Sequence, residues 1–213
     1  AGGDVTICEN SGYTLSGASM GGGASSVSWS NGSGDGTFDN ANTVNPTYTP
    51  GTGDISSGSV TLTITTDNPS GPCNSATDNM TLTIDESPTV NAGSGSTICS
   101  NETFTINGSS MGSGTASINW TTSGDGSFDN ASILHPVYSP GTNDISNGSV
   151  TLTLTGSSAL GVCSDATSSI ALTINEAATV SAGSDATICE GNTYTFSGAT
   201  FGGGASSATW STA

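Results

Sequence analysis

Lysine and arginine are absent from the 213 residues, and 17 Asp and Glu leave a formal charge of −17. Without a cation the chain cannot form the basic patch that nucleic acids and anionic bilayers require, so neither is expected as a partner. The guanidinium and ammonium clamps used on phosphate and carboxylate substrates are missing too. So is the lysine of the Lys-to-Asn isopeptide bond that locks the beads of some bacterial pilins. Histidine occurs once, at His135, where the first half of the chain has Asn45. It reads as a polar residue before Pro136 in an extended segment. With no lysine either, Ser-His and Ser-Lys nucleophiles are closed, and no enzyme is expected. No apolar run approaches the roughly 20 residues of a membrane span, and no charged-then-apolar leader opens the chain. The expectation is a piece of a longer protein whose export signal and anchor lie outside this sequence.

Charged residues make up only 8% of the chain, and 31 Gly stand among abundant Ser, Thr and Asn, a mixture that resembles a disordered linker. The order of the residues says otherwise. Val60–Thr65 (VTLTIT), Met80–Ile84 (MTLTI) and Val150–Thr155 (VTLTLT) alternate apolar residues with Thr, the period of half-buried strands. No window has helical periodicity, and Gly, Asn, Pro and Ser clusters separate the strand candidates. The class expected is all-β.

The segment AGGDVTIC ending at Cys8 returns as AGSGSTIC ending at Cys99 and AGSDATIC ending at Cys189, at steps of 91 and 90 positions. Trp29, Trp120 and Trp210 keep the spacing, as do Tyr48 with Tyr138 and Asp54 with Asp144. A period near 90 suits a small sandwich with its own core rather than a solenoid turn. Residues 1–88 and 89–178 are therefore expected to be two immunoglobulin-like repeats, and residues 179–213 the first part of a third. In the first, seven strands are predicted at Val5–Cys8, Tyr13–Ser16, Val27–Ser30, Thr37–Asp39, Thr47–Thr49, Ser59–Thr66 and Asn79–Asp85. The expected core is Trp29, Tyr48, Leu62, Ile64, Leu82 and Ile84. Short connections such as DESPTVNAG restrict the angle between beads, so a semi-rigid rod is expected, gaining roughly 30 to 40 Å per repeat at about 3.3 Å per strand residue.

Each full repeat has one early and one late cysteine. The economical pairing is within the repeat, Cys8 with Cys73 and Cys99 with Cys163, leaving Cys189 with a partner outside this sequence. A loop that size constrains the unfolded chain by roughly 4 kcal/mol in the chain-entropy model. The rival is a metal site, but two thiols per repeat without a nearby His or a CxxC pair do not make a tetrahedral set. Disulfides imply an oxidising, extracellular setting.

Two repeated acid pairs, Asp35 with Asp39 and Asp125 with Asp129, lie in GDGTFD and GDGSFD. Oxygen ligands on a flexible loop are what Ca²⁺ takes. Asp-Gly is equally the pair a tight turn demands, and the turn is the preferred reading. No cofactor is called for, with Ca²⁺ alone left open at these four residues. Glu86 and Glu176, near the first strand of the next repeat, form a weaker candidate, because Asp85 becomes Asn175. Asp54 and Asp144 are expected to hold a loop through side-chain-to-backbone bonds.

The stretch from Trp29 through Thr65, with GDGTFD, NPTYTPGTGDI and GSVTLTIT, resembles the PKD-type immunoglobulin-like bead. The longer pattern of AGxxxTIC, YTLSG, NPxYxPGxxDI and SVTLTLT with a late cysteine is similar to repeats of very large bacterial surface proteins exported by the type IX secretion system, including gliding-motility adhesins. That resemblance implies a long adhesive filament at the bacterial cell surface, with force carried along tandem beads and no catalytic residues. Two cysteines per repeat depart from the common PKD bead. The partners implied are neighbouring repeats, other copies of the chain in a filament, and surface glycans or substrata. The alternatives are a subunit of a self-assembling extracellular fibre and a repeat that binds glycan or Ca²⁺, for which an exposed cluster of Tyr13, Phe38 and Tyr48 would be the mark.

Overall fold

Alternation of Val, Leu and Ile with Thr puts one apolar stripe on each long strand, and burying that stripe organises the chain. The computed structural model describes residues 1–68 and 74–212. Among the described residues of the first repeat seven strands form: β1 Val5–Cys8, β2 Tyr13–Thr14, β3 Val27–Ser30, β4 Thr37–Phe38, β5 Thr47–Thr49, β6 Ser59–Thr66 and β7 Thr77–Asp85. They make a four-stranded sheet of order β1-β7-β6-β3 and a three-stranded sheet of order β2-β5-β4. Each overlaps one of the seven predicted strands. Along β6, Val60, Leu62 and Ile64 are buried while Ser59 and Thr61 face water. The antiparallel register sets Val60 opposite Leu82 and Leu62 opposite Met80, so the two stripes fall on one face.

All six expected core residues are buried, together with Ile7, Leu15, Val27, Val60 and Met80. Phe38 and Tyr13 are half-buried against this cluster, and Tyr48 is fully buried, so these aromatics serve the core rather than an exposed face. At roughly 1.5 to 3 kcal/mol per large apolar side chain, this core is the main stabilising term. The outer edge of β3 is covered, since the Trp29 N–H donates to the Ala41 carbonyl at 2.8 Å and its indole N–H to the Val44 carbonyl at 3.2 Å. One pairing was not foreseen, because β1 runs parallel to β7.

The following elements are β8 Val90–Asn91, β9 Ser96–Cys99, β10 Phe104–Thr105, β11 Ser110–Met111, β12 Ser117–Thr122, β13 Ser127–Phe128, β14 Val137–Ser139, β15 Ser149–Ser157 and β16 Ala166–Asn175. The sheets β12-β15-β16-β9 and β10-β14-β13 repeat the earlier orders, and β11 pairs with β8. Trp120, Tyr138, Leu152, Leu154 and Leu172 are buried as their counterparts are. Beyond them β17 Thr179–Ser181 pairs with β18 Thr200–Gly202.

Two short helices were not expected, α1 Thr52–Ser57 and α2 Thr142–Asn147. Six residues are too few to show periodicity, and no helix among the described residues is long and apolar enough to cross a membrane. The chain divides into two compact units, Ala1–Asn91 with Ser110–Asn119 and Thr155–Ser168, and Ala92–Ser109 with Trp120–Leu154 and Ser169–Ala213. These limits differ from the repeat limits of 1–88 and 89–178. The first unit takes in 110–119 and 155–168 because the strand and loop there bond to the end of β7 and the residues after it.

Candidate functional site

The repeated acids are used as backbone acceptors. Asp35, in the turn between β3 and β4, accepts from the Gly53 N–H at 2.8 Å and the Asp54 N–H at 3.0 Å. These are orphan donors of the first turn of α1, whose N-cap Gly51 has no side chain to satisfy them, so Asp35 caps the helix from a distant loop. The Gly53 and Asp54 N–H groups hold the Asp35 carboxyl below its ordinary range against a smaller opposing effect of burial. Asp54 itself is buried and accepts from the Tyr48 hydroxyl at 2.6 Å and from the N–H groups of Gly36 at 3.0 Å and Gly51 at 3.2 Å. Gly36 is required by close approach, since a Cβ there would overlap the Tyr48 hydroxyl and the Thr49 carbonyl.

The second repeat builds the same network. Asp125 accepts from the Asn143 N–H at 3.1 Å, and Asp144 from the Tyr138 hydroxyl at 2.6 Å and the Gly126 and Gly141 N–H groups at 3.0 Å. Burial, and then the bond donated to Asp54 or Asp144, pushes the Tyr48 and Tyr138 hydroxyls up to about 12.

Asp39 does a different job from Asp35. It accepts from the Asn40 N–H at 2.6 Å and the Thr47 N–H at 2.8 Å, and Asp129 accepts from Asn130 and Val137 at 2.7 and 2.8 Å. Each member of the pairs Asp35 with Asp39 and Asp125 with Asp129 is thus bonded to backbone N–H groups. No group of three or more His, Cys, Asp or Glu that could hold a metal occurs among the described residues.

The cysteines depart from expectation. Cys8 is bonded to Cys163, with Cα atoms 4.9 Å apart and 155 positions between them, in place of the pairings Cys8 with Cys73 and Cys99 with Cys163. Cys73 lies outside the described residues, and Cys99 and Cys189 are free and exposed. The Ser158–Cys163 loop folds onto Asp85. Asp85 ends β7 directly beside Cys8 in the parallel register, and its backbone carbonyl accepts from the Glu9 N–H at 2.9 Å.

The Asp85 side chain is 3% exposed. Its carboxylate accepts from the Ser158 hydroxyl at 2.6 Å and from the N–H groups of Val162 at 3.0 Å, Leu160 at 3.2 Å and Cys163 at 3.3 Å. Burial works to raise the Asp85 carboxyl, and the four donors outweigh it and hold it low. An ionised carboxylate surrounded by convergent donors is the arrangement that makes a buried charge tolerable. Ser87 completes the surroundings, its hydroxyl 3.4 Å from the Cys8 sulfur.

Sequence reasoning noticed Asp85 only as the position that becomes Asn175. That break in an otherwise repeated chain was the available signal.

No protein-family pattern and no curated protein matches the chain. Among solved structures it is similar to mouse clustered protocadherin PcdhgC3 EC1-3 at 12% identity and TM-score 0.43, over 81% of this chain and 65% of that one. Mouse cadherin-23 EC22-24 gives 9% and 0.43, over 83% and 64%. Drosophila N-cadherin EC1-4 gives 12% and 0.42, over 82% and 48%. The chain spans less than two thirds of each of these, and no partner or activity passes from them to it.

Proposed function

We propose that this chain is a structural segment of an extracellular, non-enzymatic adhesin or surface filament, whose work is reach and resistance to tension. The observation that carries the reading is the Cys8–Cys163 bond, which ties the first strand of one sequence repeat to the late loop of the next. Tension applied to the ends of the chain passes through that bond, so the residues between its two cysteines are shielded from extension. A disulfide also suits an oxidising compartment outside the cell. The alternating strands, the covered edge of β3 and the repeated Asp54 and Asp144 networks serve stability and offer no constellation for chemistry.

The finer identity, a stalk of a type IX-secreted gliding adhesin on a bacterial surface with repeats at 1–88, 89–178 and 179–213, rests on the sequence resemblance. So do its partners: adjacent repeats, other copies, and surface glycans or substrata.

Pulling single molecules by their two ends tests the mechanical reading. With the disulfide intact, residues 9–162 should stay out of the extension trace. After reduction the same pull should release about 500 Å more, at roughly 3.3 to 3.6 Å per residue. Equal contour lengths in the two states would show that the bond shields nothing and would remove the basis of the proposal.

A further inference from the structure

We propose that Asp85 is the template that selects the Cys8–Cys163 disulfide, by holding both cysteines before either is oxidised. One residue touches both halves of the bond. Its backbone is in register with Cys8 in the β1–β7 pair, and its carboxylate accepts from the Cys163 N–H at 3.3 Å. The Cys163 sulfur lies 3.1 Å from the Asp85 carbonyl oxygen, a position from which the reduced thiol donates to that oxygen.

The carboxylate gathers a loop that would otherwise have no reason to be there. The Leu160 and Val162 side chains are exposed, at 53% and 46%, so apolar burial does not dock the segment. The hydrogen bonds from Ser158, Leu160, Val162 and Cys163 do, and each is a charge-assisted bond to a residue that is 3% exposed. Selection among thiols is needed because five cysteines compete, and Cys8 is only 65 positions from Cys73 but 155 from Cys163. Loop-closure entropy alone favours the shorter loop, although only weakly. The bond observed is the longer one, so a specific interaction must outweigh the bias. The counterpart of Asp85 in the second repeat is Asn175, which stands in the same register to Cys99. An amide side chain presents one acceptor oxygen and an NH₂ that repels converging N–H donors, so it cannot gather such a loop.

The chemistry needs an oxidant, and a small-molecule disulfide such as oxidised glutathione supplies it. The Cys8 thiolate attacks that disulfide, giving a mixed disulfide and one glutathione thiolate. The Cys163 thiolate, placed by Asp85, then attacks the Cys8 sulfur and expels the second glutathione. Two thiol protons are released and two electrons pass to the oxidant. Asp85 takes no part in the electron transfer and acts by position.

The test is oxidative refolding of the full chain in a glutathione buffer, with disulfides assigned by mass spectrometry of peptides. Wild type should give Cys8–Cys163 as the dominant species. D85N should lower the ratio of Cys8–Cys163 to other Cys8 pairings roughly tenfold, the loss expected for bonds to a buried charge. An unchanged ratio would overturn the proposal. Should D85N fail to fold, the decision falls to C8S/C163S with Asp85 intact. There the amide protons of residues 160, 162 and 163 should stay protected from exchange without the bond, whereas free exchange would show that the disulfide places the loop and that Asp85 does not.

Discussion

Two strand ends are built on one backbone plan and carry different side chains. At the end of β7, Asp85 lies beside Cys8, and at the end of β16, Asn175 lies beside Cys99, both in parallel register. The backbone bond that closes each pair is the same, from the Glu9 N–H to Asp85 at 2.9 Å and from the Ser100 N–H to Asn175 at 2.8 Å. Yet Asp85 is buried under four donors and Cys8 is bonded, whereas Asn175 and Cys99 are both exposed. The repeat fixes where a cysteine sits on the sheet, and at the end of β7 the neighbouring carboxylate collects the loop that carries its partner.

The sharpest way to break this comparison is to remove each cysteine in turn. C8S opens a loop of 155 residues and should cost about 5 kcal/mol by the chain-entropy estimate, read as a large fall in the denaturant midpoint. C99S should leave the midpoint where it was. Equal midpoints for C8S and wild type would mean that the covalent link adds no stability.

How much of this was legible follows the range of the interactions. The strands were readable because alternation is local, and Trp29, Tyr48, Leu62, Ile64, Leu82 and Ile84 could be placed inside from the period alone. The backbone duties of Asp54 and Asp144 were visible in part, because each bonds its own Gly-rich loop at Gly51 or Gly141, while the bonds from Gly36 and Gly126 come from turns 18 positions away. The disulfide was not. Its partners are chosen by a carboxylate 78 positions from Cys163 in sequence, and spacing within a repeat carries no information about a loop that folds back from the next one. The helices α1 and α2 escaped for another reason, since Asp35 and Asp125 cap them from distant turns.

A second contrast of matched residues separates burial from mere repetition. Trp120 is 2% exposed and Trp210 is 58% exposed, although both stand at the same point of the repeat. Trp120 is buried in a part of the chain that contains the long strands β15 and β16, and Trp210 stacks on Phe196 with ring centroids 4.4 Å apart. W120A should therefore cost about 3 to 5 kcal/mol, the range for a buried Trp. W210A should cost less, about 0.5 to 1.5 kcal/mol, the range for an exposed aromatic pair. Chemical denaturation followed by circular dichroism measures both, and similar losses would show that Trp210 is packed in solution.

The smallest effect tests a likeness between the two repeats. Tyr48 and Tyr138 each donate to a buried Asp at 2.6 Å, and both are pushed up to about 12. A hydroxyl raised above its unfolded value of about 10 contributes stability that is complete below pH 10 and is lost as pH rises through the folded value. Titration of tyrosinate absorbance should therefore show two of the four tyrosines ionising only near pH 12, with loss of the β-sheet spectrum in the same interval. Y48F and Y138F should each remove one late-ionising group. Their second partners differ, since the Asn31 side-chain amide donates to Tyr48 at 3.2 Å and Thr122 bonds Tyr138 at 2.8 Å. A difference between the two variants would thus report on Asn31 against Thr122. If Tyr48 and Tyr138 ionised near 10 with the fold intact, the paired Asp54 and Asp144 networks would not hold these hydroxyls in solution.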